Sequence, residues 1–427
     1  MLFKGGLQMS ETKKSSFIKG LNVFVNKFSN NTFVKSIANG MMMTLPITIV
    51  GSLTTIIGMI PGLPEIVLKA CSLGTSISSN LITIYVIIGI SCAMAREKKG
   101  DTIASIILSL AAFFVLTPIT AFDIGKEKPA MAFELTYLGS KGIFVGMIVA
   151  LVVTWVFAKM VQKRITFRMP ESVPTAIAKT FEAIVPAAII FIVVIMISTA
   201  FAETKFGNIH DFIYTNLQTP LEALGGSIWS ALFIMFLSEL LWFFGIHGSM
   251  VVGSVIAVLF TTQAYANMEA VAAGEAATNI INSFFLDAFK GPRALALAVI
   301  LVWMSRSEKF KSIGKISLVP SIFGITEPMK FGIPMIMNAI IFIPLTLSAA
   351  VCVGIAYLAT IIGFLPVISV NVPKNLPTFL SGFMAAGWQG LVVQLIQFVV
   401  VLLLYLPFMK KLDSQGVAEE TANLESN

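Results

Sequence analysis

The chain is predicted to be an all-α polytopic membrane protein with about ten transmembrane helices, given that a helix crosses a ~30 Å hydrocarbon layer in about 20 residues. Composition is the first observation behind this class. Hydrophobic residues make up 56% of the 427 positions and charged residues 12%, about half the charge of an ordinary soluble domain. The second observation is that the stretches 36–64, 70–95, 102–122, 183–202, 240–268, 331–373 and 375–409 contain no Asp, Glu, Lys or Arg. Stretch 331–373 is long enough for two passes, and apolar runs around 142–158 and 223–238 add further spans. The third is the gathering of Lys and Arg in the short gaps between runs, as expected of cytoplasmic loops.

Residues 1–35 contain Lys4, Lys13, Lys14, Lys19, Lys27 and Lys35 and no early apolar core, so no secretory signal peptide is expected. Phe17, Ile18, Leu21, Phe24, Val25 and Phe28 fall at helical spacing among lysines and asparagines. They predict an amphipathic helix lying on the cytoplasmic face of the lipid. Residues 36–204 read as regular spans and form a candidate scaffold or dimerisation half. Arg96, Lys98 and Lys99 follow one apolar run, Lys163, Arg164 and Arg168 another, and Arg306, Lys309, Lys311 and Lys315 a third, with Lys410 and Lys411 after the last. This pattern puts both termini in the cytoplasm and makes the span count even. Lys126, Lys128 and Lys141 fall on the opposite side, offset by Asp123, Glu127 and Glu134. The net charge of +7 is accounted for by these loops and implies no nucleic-acid partner.

Segment 205–222 places Phe206, Ile209, Phe212, Ile213, Leu217 and Leu221 on roughly one side, as an amphipathic connecting helix would. Beyond it, Gly245, Gly248, Gly291-Pro292, Pro320, Gly324, Pro328, Gly332 and Pro334 interrupt the apolar runs. Such breaks free backbone groups, which hydrocarbon tolerates only where protein or water covers them. Transporters build binding sites from half-helices of this kind. Residues 223–411 therefore form the candidate transport half, and 412–427 a cytoplasmic tail. Cys71, Cys92 and Cys352 lie far apart in apolar runs and read as structural thiols without a metal pattern.

Glu327 lies between Thr326 and Pro328 with Phe323, Ile325, Met329 and Phe331 around it. A carboxylate in such surroundings needs partners or a wet cavity, and membrane acids are usually functional. The plainer reading is a loop carboxylate at the membrane surface, since Lys330 follows closely. His247 follows Trp242-Phe243-Phe244 and is flanked by Gly245, Ile246 and Gly248. It reads as a ligand-binding imidazole or as a hydrogen-bonded core histidine. Trp242 offers either a flat apolar face for a sugar ring or an interfacial anchor. Glu239 reads as a partner of His247 or of a loop lysine, and His210, beside Asp211, as solvated.

Seven pieces occur in order along nearly the whole chain: Gly40-Met41-Met42-Met43-Thr44-Leu45-Pro46 with Gly51-Ser52, Leu138 to Val145, Arg168-Met169-Pro170-Glu171-Ser172-Val173-Pro174, Gln218-Thr219-Pro220-Leu221, Trp242 to Gly248, Phe323 to Pro334, and Tyr405-Leu406-Pro407-Phe408. Together they resemble the permease (IIC) subunit of the phosphoenolpyruvate-dependent sugar phosphotransferase system, in its lactose/cellobiose (N,N'-diacetylchitobiose-like) family. The resemblance implies a homodimeric, multi-pass permease of the bacterial cytoplasmic (inner) membrane, with two re-entrant hairpins in a mobile transport half. It implies that a disaccharide or β-glucoside is bound and presented to a phosphocysteine on a separate cytoplasmic IIB protein. It implies substrate binding by His247 and Glu327 with stacking on Trp242, supported by Glu239, Thr326, Gly324 and Gly248. The carboxylate would orient or deprotonate the accepting hydroxyl. No cofactor, metal or phosphoryl carrier is implied on this chain itself.

The chain departs from the family pattern in three places. Phe-Asn-Ile-Asn-Glu-Pro becomes Phe323-Gly324-Ile325-Thr326-Glu327-Pro328, Pro-Trp-Thr-x-Pro becomes Pro373-Lys374-Asn375-Leu376-Pro377, and a Gly-Gly-Ser-Gly pattern becomes Lys290-Gly291-Pro292-Arg293-Ala294. An ion-coupled sugar transporter using Glu239 or Glu327, and a non-transporting receptor or regulatory paralogue, therefore stay open. A membrane-embedded glycosyltransferase or protease is disfavoured, because paired intramembrane aspartates, a His-Glu-x-x-His zinc motif and a nucleotide-phosphate cluster are missing.

Overall fold

Side chains at helix starts show why the apolar runs become helices where they do. In the computed structural model, Asn31 Oδ1 accepts from Phe33 N at 2.9 Å to open α1 (Thr32–Met43). Asp101 Oδ1 accepts from Ala104 N at 2.8 Å to open α5 (Thr102–Leu116), each satisfying a donor that the helix leaves free. The structure describes residues 30–425 except 59, 61, 123–128, 168–180, 334 and 374–375, with Gly20, Val23 and Lys27 as isolated positions. The amphipathic helix expected over 17–28 and the Arg168 to Pro174 segment lie outside the described residues.

In the first half, α1 crosses α4 (Ile82–Glu97), and α2 (Leu45–Gly58) packs on α3 (Glu65–Asn80). Helix α6 (Ile143–Gln162) packs on α4 and α5, and α7 (Ile184–Ala202) runs along α5. The run 70–95 is not one straight span, because α3 and α4 meet at a 49° bend. Ser78 Oγ and Ser79 Oγ donate back to Thr75 O at 2.9 Å, and such back-bonding competes with the helix ladder and bends it. Among the described residues the helical class has one exception, the antiparallel pairing of β1 (Ile119–Phe122) with β2 (Ala130–Phe133).

The connecting segment is helical from Ile209 to Gly225, with a widened turn inside it. It comprises α8 (Ile209–Ile213), a wider turn over 214–218 and α9 (Thr219–Gly225). His210, expected to be solvated, is fully buried. Its Nε2 lies 3.0 Å from Thr117 Oγ1, with Phe113 and Tyr137 packed on the imidazole at ring separations of 5.3 and 4.9 Å. Neighbouring residues on a helix point about 100° apart, so Asp211 reaches Lys141 Nζ at 2.6 Å while His210 turns inward.

The second half starts with α10 (Ile228–Phe243), which packs along α17 (Phe342–Ile361). Helix α11 (Gly248–Leu259) lies on α1, and α12 (Thr261–Ala272) on α3, so the halves share an interface. One apolar core runs through both, from Ile82 and Phe113 to Phe260, Phe285 and Val353. Short helices α13 (Ser283–Phe289), α14 (Arg293–Val299), α15 (Glu308–Ile322) and α16 (Glu327–Gly332) follow. The stretch 331–373 contains one long helix, α17, instead of the two passes expected. Pro366 and Pro373 in its second part preclude a helical span there, and the described residues from 365 to 373 form no helix.

That non-helical strip is buried but hydrogen-bonded. Asn267 and Asn282 both donate to Ile368 O at 3.0 Å, and Asn371 N and Nδ2 donate to Ser52 Oγ and Thr48 Oγ1 of α2 at 2.7 and 2.8 Å. Irregular backbone at membrane depth survives under this condition. The last helical element, α18 (Leu380–Glu425), breaks at Ala386 (φ −150°) and Gly387 (φ 61°). A Cβ placed on Gly390 would lie 2.0 Å from Gly382 O, whereas eight residues of straight helix separate atoms by about 12 Å. The chain thus doubles back as a helical hairpin before its long final run.

Among the described residues, five helices are long and apolar enough to cross a membrane, or up to eight if each of three bent pairs counts as one span. The expected number was about ten, since a helix needs about 20 residues to cross; the α-helical polytopic class stands.

Candidate functional site

Helix α10 ends at Trp242-Phe243 and the chain turns through Gly245 at φ +79°, a conformation that costs a residue with a Cβ about 1–2 kcal/mol. Helix α11 then starts at Gly248, whose Cα touches the α10 backbone so closely that a Cβ would lie 1.8 Å from Ser238 O. The tight reversal leaves His247 at its apex. From the other side, α15 ends at Ile322, the chain passes Gly324, and Glu327 opens the six-residue helix α16 with Pro328 next to it.

The two expected binding groups meet. His247 Nε2 lies 3.5 Å from Glu327 Oε1, and their side chains are 42% and 41% exposed. Glu327 Oε2 accepts from Thr326 N at 2.9 Å, which fixes the carboxylate's orientation. His247 Nδ1 is buried without a hydrogen-bond partner among the described residues. Imidazole and carboxylate side by side, half open to solvent, offer one donor–acceptor ring nitrogen and acceptor oxygens to a hydroxyl-rich ligand.

Trp242 is only 3% exposed. Its ring packs on His247 at 4.4 Å and on Phe331 at 6.1 Å, and Lys330 Nζ lies 4.2 Å from its centroid. In this conformation the indole supports the imidazole. Lys330 turns inward, and its Nζ lies 3.0 Å from Glu239 Oε2. Arg293 Nη1 lies 2.6 Å from Glu239 Oε1. Glu239, 2% exposed, is thus the partner of a lysine and an arginine, and the alternative of a Glu239–His247 pair does not hold.

Gly324, three residues before Glu327, lines a cavity of about 100 Å³ together with the Lys290-Gly291-Pro292 tip, Thr378 and Gln394. Gln394 Nε2 donates to Ala288 O at 2.8 Å, and Gln397 Nε2 to Phe289 O at 3.1 Å. Two glutamines one turn apart on α18 thus hold the end of α13, whose carbonyls would otherwise lack partners. Sequence reasoning missed Lys290, Arg293 and Gln394 as neighbours of the site. The signal for Gln394 and Gln397 was present, as polar residues three apart inside a charge-free run.

A family model described as "Phosphotransferase system, EIIC" matches residues 38–349. The chain belongs to this EIIC family. It is therefore a membrane-embedded, sugar-specific permease subunit of a phosphotransferase system, a system in which a IIB protein is the partner. The oligo-beta-mannoside-specific EIIC component of Bacillus subtilis (strain 168) is 32% identical over 415 residues, covering 92% of each chain. The cellobiose-specific EIIC component of Geobacillus stearothermophilus is 31% identical over 421 residues, covering 93% of each. The lactose-specific EIICB component of Staphylococcus aureus (strain COL) is 28% identical, and the match spans 95% of this EIIC chain but 73% of that protein. The crystal structure of the transporter ChbC, the IIC component from the N,N'-diacetylchitobiose-specific phosphotransferase system, matches with TM-score 0.87 at 32% identity over 95% of this chain and 99% of that one.

Proposed function

We propose that this EIIC protein carries a β-linked disaccharide or β-glucoside of the cellobiose type, held at His247 and Glu327, into the cytoplasm for phosphorylation by a separate IIB protein. The observation that carries the reading is the His247–Glu327 pair at 3.5 Å, half open at the junction of broken helices. Relatives named for cellobiose and oligo-beta-mannosides support the substrate class. Glu327 accepts a hydrogen bond from the hydroxyl that becomes the phosphate acceptor and takes its proton as the sugar O–P bond forms and the S–P bond of the IIB phosphocysteine breaks, leaving the IIB cysteine as thiolate. His247 bonds a neighbouring hydroxyl, and Trp242 keeps its ring in place. Residues 36–204 form the scaffold of a homodimer in the inner membrane with both termini cytoplasmic, 205–222 connects the halves, and 223–411 moves with the sugar. Exposed Arg306 and Lys309 are the docking candidates for IIB.

Isothermal calorimetry on purified protein with cellobiose and related β-disaccharides tests this. His247→Ala and Glu327→Gln each remove about 1–3 kcal/mol of hydrogen bonding, about 5–150-fold in Kd. Unchanged affinity in both folded variants would remove the pair from the site.

A further inference from the structure

Glu239, Arg293 and Lys330 come from α10, α14 and α16, yet they converge on one buried carboxylate beside the sugar-binding pair. Stability alone gives no reason for such a cluster. Three charges lose their water there, and apolar side chains of similar volume often do as well or better in that setting. The placement gives a reason. Glu239 precedes Trp242 by three positions on α10, and Lys330 follows Glu327 by three on α16, so each pair shares a helix face. The 3.0 Å Lys330–Glu239 bond and the 3.5 Å His247–Glu327 contact therefore join the same two segments twice, with Trp242 between.

We propose that Lys330 is a positioning residue for the sugar site: pinned by Glu239, its ammonium braces the Trp242 ring that seats His247 opposite Glu327. A cation over an indole is held by the ring's quadrupole, and more strongly once desolvated, as Lys330 is. Arg293 completes the brace. It fixes the second oxygen of Glu239 at 2.6 Å and follows directly on the Gly291-Pro292 turn that lines the cavity. Helices α10, α14 and α16 thus share one carboxylate. The inference rests on the sugar-site reading above for its functional arm, and on geometry alone for its spectroscopic arm.

The test uses full-length protein in which Trp155, Trp229, Trp303 and Trp388 are replaced by Phe, so that Trp242 is the sole emitter. Lys330→Gln, Lys330→Arg and the apolar triple variant Glu239→Leu/Arg293→Met/Lys330→Met are compared by thermal unfolding, indole emission and cellobiose calorimetry. Lys330→Gln is expected to shift Trp242 emission without sugar and to raise the cellobiose Kd about tenfold or more, with Lys330→Arg restoring both. The triple variant is expected to fold and still bind weakly; it also decides the matter if Lys330→Gln fails to fold. Unchanged emission and affinity in either folded variant would overturn the proposal. If His247→Ala and Glu327→Gln leave cellobiose binding intact, the sugar-site reading fails by itself, and the emission of Lys330→Gln alone then decides whether the brace exists.

Discussion

His210 illustrates how far a single buried polar side chain can carry packing in this protein. Its imidazole fills the space between Phe113, Tyr137 and Thr117, fastening α8 to the end of α5. Truncation in His210→Ala removes that hydrogen bond and opens a cavity, together costing about 2–4 kcal/mol. The expected outcome is a lower Tm in detergent with unchanged sugar affinity, since His210 lies outside the His247–Glu327 site. The sequence misled here because adjacency to an acid suggested water, while helix geometry sends neighbouring side chains in different directions. His247 and Glu327 were legible because each is a rare polar group among Gly, Pro and aromatic residues. The partners of Glu239 were not, since they lie 54 and 91 positions away and no periodicity links residues across separate helices. Trp242 was legible as a neighbour of His247, but its burial and its contact with Lys330 come from other segments of the chain, which spacing alone cannot show.

At the scale of elements, Gly and Pro breaks correctly marked where helices would be short, and they failed where the cause was softer. The bend between α3 and α4 comes from serine hydroxyls, and the doubled-back start of α18 from Ala386-Gly387. Apolarity was read well as membrane residence but does not by itself fix the number of spans, because buried non-helical strips such as 365–373 are as apolar as spans. The cavity between the 290–292 tip and Thr378, about 100 Å³, is below the ~300 Å³ lower end of ordinary ligand pockets. If the sugar proposed above passes through this gap, the tips have to separate to admit it. In a background with Cys71, Cys92 and Cys352 replaced, Lys290→Cys and Thr378→Cys joined by a short cleavable thiol reagent should lose cellobiose binding and regain it on cleavage. Binding that persists while the tether is closed would show that the sugar enters elsewhere.

Over the whole molecule, helix α7 stands out as the least covered of the five single helices long enough to span, with 17% of its apolar window buried within the chain. Lipid satisfies such a face as well as protein does, so its exposure is consistent with either an annulus of lipid or a second subunit. The homodimer proposed above predicts that single cysteines placed on the first half, at Ile192 and Met196 on α7 among other positions, yield inter-subunit crosslinks in membranes. Cysteines on the second half, at Leu358 for example, should remain monomeric. Crosslinking confined to the second half would reverse the roles assigned to the two halves.

The seam between the halves has a mechanical consequence. If the halves move against each other as proposed, its apolar contacts, which have no preferred direction, let one face slide along the other. Directional links are spaced along it: Asn371 to Ser52 and Thr48, Tyr265 to Thr44, and Glu269 to Ser140 N and Oγ. Each acts as a detent. At about 1 kcal/mol per bond, such a row resists displacement until several links release together, then offers nothing further until the groups find new partners. A carrier built this way would dwell at fixed stops and pass quickly between them. Crosslinks between Asn371 and Ser52 sites, made as cysteine pairs, should accordingly trap one stop and halt uptake.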